Sequence, residues 1–167
     1  MAYGYHAHDI LERNPTLFYV GIDPYRAGYD PDDLFDRDVC DLFGMEPQEA
    51  MDCLFDTVAR DLVESHGNRA RVVREGSVEA SAGFEHGSLD FVFVDGDHRY
   101  EAVTADLAAW WPKVKLGGVM AGDDYAWSDV AQAVNDFFHG LPDCAVMVLK
   151  KPGERHLSWF VMKPDGA

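Results

Sequence analysis

Residues 89–125, LDFVFVDGDHRYEAVTADLAAWWPKVKLGGVMAGDDY, constrain the fold more than any other stretch of the chain. The run Leu89–Val94 is nearly all apolar and rich in Val and Phe, which predicts a strand buried on both faces. It stops abruptly at Asp95-Gly96-Asp97-His98. Tyr100, Val103, Leu107 and Trp110 then recur at helical spacing and predict a helix over 98–111. Pro112 and Gly117-Gly118 are expected to close that helix and turn the chain into a second buried strand, Val119–Ala121, which again ends in acid at Asp123-Asp124. Two parallel strands joined by a helix present their carboxyl ends on one edge, and ligand sites in open α/β sheets form at that edge.

The flanking sequence fits such a sheet. Residues 4–14 are predicted helical and end at Asn14-Pro15. Leu17–Ile22 reads as a strand ending at Asp23-Pro24. Residues 26–48 form an acidic stretch punctuated by Pro and Gly, expected to be a long loop serving as a lid or substrate wall. Residues 48–66 return to helical spacing and stop at Gly67-Asn68. Arg71–Arg74 reads as a strand, followed by an irregular linker to Leu89. After the central block, residues 127–139 are predicted helical. Ala145–Lys150 and Leu157–Met162, separated by KPGER, read as a hairpin. Strands alternating with helices and closing in a hairpin imply a single α/β domain over 1–167, with a mostly parallel sheet and an antiparallel edge.

Composition narrows the function. A net charge of −16 disfavours a nucleic-acid backbone as partner. Most of that acid is expected to be solvated surface. No apolar run reaches the length of a membrane span. Three cysteines without metal-ligand spacing suggest a reduced, cytoplasmic protein. Nothing in the placement of Ser or Cys suggests a nucleophile, and the histidines other than His98 lack mutual spacing and are expected on the surface.

Four stretches carry a family resemblance: VGID (Val20–Asp23), REGS (Arg74–Ser77), FVDGDHRYEAVTADLAAWWPKVKLGGV, and GDDY (Gly122–Tyr125). Together they resemble the class I S-adenosylmethionine-dependent methyltransferases, in particular the metal-dependent small-molecule O-methyltransferases of the macrocin and catechol type. The resemblance implies a Rossmann-like, doubly wound sheet ending in a reversed strand pair. It implies S-adenosylmethionine as cofactor, with Asp23 on the ribose hydroxyls, Ser77 beside the adenine, and Gly4 and Asp95 also at the cofactor. It further implies a small-molecule hydroxyl acceptor, with self-association into a homo-oligomer left open. The family begins with a strand and a Gly-rich turn. Here the chain opens with Ala2-Tyr3-Gly4-Tyr5-His6, which looks like the end of that turn, so the expectation is an N-terminally truncated sheet or one completed by another element.

Within that frame Asp95, Asp123 and Asp124 are the metal candidates. Mg²⁺ or another hard divalent cation takes oxygen ligands, and three clustered carboxylates repel one another without a cation. The plainer reading is that they cap helices or face water. Asp97 is expected to cap the following helix. His98 suits a general base near neutral pH, against a structural role at a helix start; Asp23 is otherwise a turn-former before Pro24. Tyr25, Tyr29, Tyr125 and Trp127 line either a pocket or the core. Two other functions compete. Asp95-Gly96-Asp97 forms a DxD arrangement like that of metal-dependent glycosyltransferases, and a truncated domain can persist as a non-catalytic binding module.

Overall fold

The computed structural model describes residues 3–29, 35–150 and 156–165, and the chain divides into two units, Met1–Ser77 and Val78–Ala167. Ala2, part of the acidic stretch at 30–34 and the hairpin turn KPGER at 151–155 lie outside the described residues.

In the first unit, helix α1 (Tyr5–Arg13) and strand β1 (Tyr19–Ile22) sit where the sequence predicts. Helix α3 (Pro47–His66) starts with Pro at its first turn, where no amide donor is needed, and stops at Gly67 with φ 60°. Strand β2 (Ala70–Val73) pairs in parallel with β1, Tyr19 opposite Ala70. The expected loop over 26–48 is corrected in part, because it contains helix α2 (Phe35–Phe43). Its stripe of Phe35, Val39 and Phe43 recurs every four residues but is diluted by Asp36, Asp38 and Asp41, which hid the periodicity. Val39 joins Ala7, Leu11, Met51, Leu54, Val58 and Leu62 in the core of this unit. Tyr25 belongs there too, 1% exposed, so it is core and not pocket wall. Burial pushes its phenol above the ordinary range, and the Asp23 charge acts in the same direction.

The second unit holds a four-stranded sheet in the order β3-β4-β6-β5. Strands β3 (Leu89–Val94) and β4 (Val114–Gly122) are parallel, and β6 (Leu157–Met162) runs antiparallel to both β4 and β5 (Met147–Lys150). Short helix α4 (Ser77–Ala80) leads in. Helix α5 (Tyr100–Trp110) crosses between β3 and β4, and α6 (Ser128–His139) follows β4. Val103, Leu107, Val130, Val134 and Phe138 are buried, as are Met120, Trp159 and Val161 of the sheet.

This is the mixed α/β sheet with an antiparallel end that the alternation predicts. Two expectations need correction. Gly117-Gly118 do not turn into the second strand but lie inside it. The register jumps from Leu89↔Val114 to Phe91↔Val119, and Gly117, at φ 71°, absorbs the surplus residues as a bulge. Nor is β3 buried on both faces: Asp90 and Phe91 are exposed. Among the described residues β3 pairs with β4 alone, and β1 with β2 alone. Among the described residues no helix is long and apolar enough to cross a membrane.

The tightest packing is at Gly122. A Cβ there would lie 2.5 Å from the Val94 carbonyl oxygen and 2.7 Å from the Trp159 ring. Backbone cannot yield as a flexible side chain does, so Gly122→Ala is expected to destabilise the protein by about 1–3 kcal/mol. The urea unfolding midpoint reads this, and an unchanged midpoint would show that the strand shifts freely.

Candidate active site

Pairing of β3 with β4 puts Val94 opposite Gly122, so the two strands end level. The next residues are Asp95 on one strand and Asp123-Asp124 on the other. The Asp123 amide still donates to the Val94 carbonyl at 3.3 Å. Asp124 then takes φ 55°, a left-handed conformation that Asp tolerates better than most residues. Its carbonyl accepts from the Trp127 amide at 2.9 Å, closing the turn into α6.

That turn aims the Asp124 carboxylate at His98. Nε2 of His98 lies 3.0 Å from Asp124 Oδ2, and the imidazole stacks on Trp127 with centroids 4.7 Å apart. Asp95, His98 and Asp124 each bring one ligand atom to within 4.8 Å of the others. A small depression is lined by Asp95, His98 and Asp123 over Val103, Val130 and Trp159. The surrounding protein raises the Asp95 pKa by desolvation, and the charges of Asp124 and Asp123 push the same way. Water still reaches Asp95, which screens part of that effect.

The remaining predicted residues are placed as follows. Asp123 is not in the three-residue cluster; its Oδ1 accepts from Ser158 Oγ at 3.0 Å. Asp97 is buried, and it braces the turn before α5 rather than capping the helix, its Oδ1 accepting the Arg99 amide at 2.9 Å. The Arg99 guanidinium donates to both Asp97 oxygens. Asp97 lines the same depression as Asp95 but is already paired with Arg99, which weighs against the DxD reading. In the first unit, Gly4 sits at the N-cap of α1 with φ 80°. Asp23 follows β1, and its Oδ1 accepts the Tyr25 amide at 2.8 Å, a side-chain-closed turn. Ser77 opens α4.

Two neighbours of the site escaped sequence reasoning. His156 Nδ1 lies 3.6 Å from Asp124 Oδ1, and Ser158 holds Asp123. Both arrive because β6 lies beside β4 with Trp159 opposite Gly122 and the Tyr125 amide donating to the Leu157 carbonyl. Only that register, spanning some thirty residues of sequence, brings them in, and no local motif announces it.

A family model described as a methyltransferase domain matches residues 8–125, from α1 through the Asp123-Asp124 turn. The chain belongs to this methyltransferase-domain family. Solved structures with a similar fold include an O-methyltransferase family protein from Burkholderia thailandensis (TM-score 0.60, 16% identity, 99% of this chain and 49% of that one). The O-methyltransferase NovP is comparable (TM-score 0.61, 16% identity, 95% and 65%). A SAM-dependent O-methyltransferase from Thermotoga maritima gives a TM-score of 0.54 at 13% identity, covering 98% and 66%. In sequence, an uncharacterised protein, R132, of Acanthamoeba polyphaga mimivirus is 41% identical over 51 residues, 28% of this chain and 23% of that protein. The methyltransferase domain thus spans about half the length of the Burkholderia protein and less than two thirds of NovP.

The bracing of Asp97 has a pH signature. Burial pushes its pKa up, but the Arg99 side-chain and backbone hydrogen bonds outweigh burial and hold it below the ordinary value. Its stabilisation is therefore complete above the unfolded value of about 3.9 and fades as pH falls through the lowered folded value. Asp97→Ala is expected to cost about 1 kcal/mol at neutral pH. Urea midpoints of wild type and variant should differ at neutral pH and converge as pH falls below the ordinary carboxylate range.

Proposed function

We propose that the domain transfers the methyl group of S-adenosylmethionine to a hydroxyl oxygen of a small molecule. The observation that carries this reading is the Asp124–His98 pair, with Asp95 beside it, at the level carboxyl ends of β3 and β4 in a methyltransferase-domain chain. An ionised carboxylate only accepts hydrogen bonds, so His98 Nε2 carries the hydrogen and Nδ1 is the basic nitrogen of the neutral ring. Trp127 stacking and the Asp124 bond fix the ring plane.

In the reaction, the acceptor O–H gives its proton to His98 Nδ1. An oxygen lone pair forms the new O–C bond. S-adenosylmethionine, when bound, would supply the methyl group, its S–C electrons passing to sulfur so that S-adenosylhomocysteine leaves. Such a displacement needs alignment above all. The cofactor roles of Gly4, Asp23, Ser77 and Asp95 rest on the family resemblance. Gly4 takes φ 80° and is packed against Val58, which shapes the start of α1, and Asp23 offers a carboxylate at a strand end, as ribose-binding acids do.

The donor set also fits a divalent cation. Asp95 and Asp124 would hold it with His98 alongside, and when bound it would supply positive charge that lowers the pKa of an acceptor hydroxyl. The net charge of −16 keeps nucleic acid an unfavourable acceptor and leaves a small molecule as the preferred class.

Calorimetric titration of S-adenosylhomocysteine into the purified chain, with and without Mg²⁺, tests the cofactor, and binding in the micromolar range is expected. Absence of binding in both would favour the non-catalytic module. His98→Gln is expected to lower the methyl-transfer rate by about 10²–10⁴-fold while S-adenosylhomocysteine affinity stays unchanged. An unaltered rate would remove His98 from the proton transfer.

A further inference from the structure

Two of the other histidines, without mutual spacing in the sequence and partly exposed, meet in the first unit. His8 on α1 and His66 at the end of α3 are hydrogen-bonded, Nδ1 to Nε2 at 2.9 Å, with ring centroids 4.9 Å apart. The chain of contacts continues at both ends. His8 Nε2 lies 2.8 Å from Asp61 Oδ2, and His66 Nδ1 lies 3.5 Å from a terminal nitrogen of Arg69. The other terminal nitrogen of Arg69 donates to the carbonyls of Leu11, Asn14 and Leu17, around the end of α1 and the segment after it. The four side chains come from α1, α3 and the 3-10 turn Gly67–Arg69.

Proton counting fixes this chain in one state. Arg69 can only donate and the ionised Asp61 can only accept. Between them, two neutral imidazoles give a single satisfying arrangement. Arg69 donates to His66 Nδ1, His66 Nε2–H donates to His8 Nδ1, and His8 Nε2–H donates to Asp61. One added proton leaves no such arrangement. On His66 it sets Nδ1–H against the guanidinium donors and a second positive charge beside Arg69. On His8 it adds charge to the contact with Asp61, a gain that is screened because Asp61 is 61% exposed, but it sets Nδ1–H against His66 Nε2–H, and reversing the His66 tautomer to relieve this again turns a hydrogen toward Arg69.

We propose that Arg69, His66, His8 and Asp61 form a proton-sensitive latch that holds α1 against the end of α3 and loosens when the histidine pair takes up a proton. Imidazole is the side chain whose charge changes within the physiological range. Among the described residues, the charged groups in contact with the pair are Asp61 and Arg69. Elsewhere on α1, Asp9 pairs with Arg13, and both are exposed. His6 and Glu12 share that helix, and Glu64 shares α3 with Asp61. Buried Ala7 and Leu11 keep α1 docked by apolar contact, so protonation raises local opening without unfolding the unit. Because Gly4 opens α1, the loosening would reach the cofactor loop, a consequence that rests on the methyltransferase reading; the latch itself does not.

Hydrogen exchange of the full chain, read by mass spectrometry and corrected for intrinsic rates, tests it. Protection of α1 amides is expected to fall about tenfold relative to α6 amides between about pH 7.5 and pH 5.5. The double variant His8→Gln, His66→Gln keeps donors and acceptors at both positions but removes the titrating rings, and its α1 protection should be flat over that range. If the double variant does not fold, each single variant should still shrink the fall. Wild-type α1 protection that tracks α6, or a variant that keeps the whole fall, overturns the proposal. S-adenosylhomocysteine affinity measured at both pH values separates the two readings. A fall in α1 protection without any binding leaves the latch standing and the methyltransferase reading without its cofactor.

Discussion

The register between β3 and β4 is the constraint on which the site depends. With Val94 opposite Gly122, the first residues beyond both strands leave the sheet at one level, and carboxylates far apart in sequence meet. A slip of one residue would take Asp95 off the level of Asp123 and of the left-handed turn that aims Asp124 at His98. What pins the register is an absence of atoms. Gly122 lets the Val94 carbonyl and the Trp159 ring approach to distances that a methyl group would forbid. The same contact locates β6, and through β6 the site gains Ser158 and His156. The Gly117 bulge does complementary work upstream, taking up surplus length in β4 so that its far end can stay in step with β3.

Four acids crowded into the two turns would repel if left alone, and the fold answers each differently. Asp97 is turned inward onto Arg99. Asp123 accepts from Ser158, and Asp124 lies between His98 and His156. Asp95 remains the one whose carboxyl is held to a raised pKa by its surroundings and by the neighbouring acids. The result is a cluster in which one acid is structural, one orients an imidazole and one is electrostatically primed for a positive partner. The sequence DGDH…GDDY shows four similar carboxylates; the difference between them is made by what packs on each.

Much of this was legible beforehand, and the parts that were not share a cause. Strand ends at Val94 and Gly122, the helix carrying Val103 and Leu107, and the closing hairpin are local patterns of spacing and turn chemistry, so the residues announce them. Helix α2 failed because acids interrupt its stripe of Phe35, Val39 and Phe43. The start of β4 failed because Gly117-Gly118 signals a turn and a strand bulge equally well. Exposure of Phe91 depends on how many neighbours β3 has, which no window of sequence contains. His156 beside Asp124, and His8 beside His66, are contacts made by tertiary register alone. A histidine carries no apolar periodicity that would reveal its partner.

The charge of the chain bears on the chemistry as a whole. On the methyl-transfer reading, the cofactor arrives with a positive sulfonium and departs as a neutral thioether, so reaction removes one positive charge from the bound molecule. An acidic protein attracts the reactant form more than the product form, which favours exchange of spent for fresh cofactor but works against the transfer step itself. The same field opposes a polyanionic acceptor at any distance within the screening length. An acceptor hydroxyl, by contrast, is neutral until it loses its proton to His98. Its negative charge then develops only on the atom that faces the sulfonium. Acid near this site is therefore best tolerated where it is paired, as Asp97 is with Arg99, Asp123 with Ser158 and Asp124 with His98.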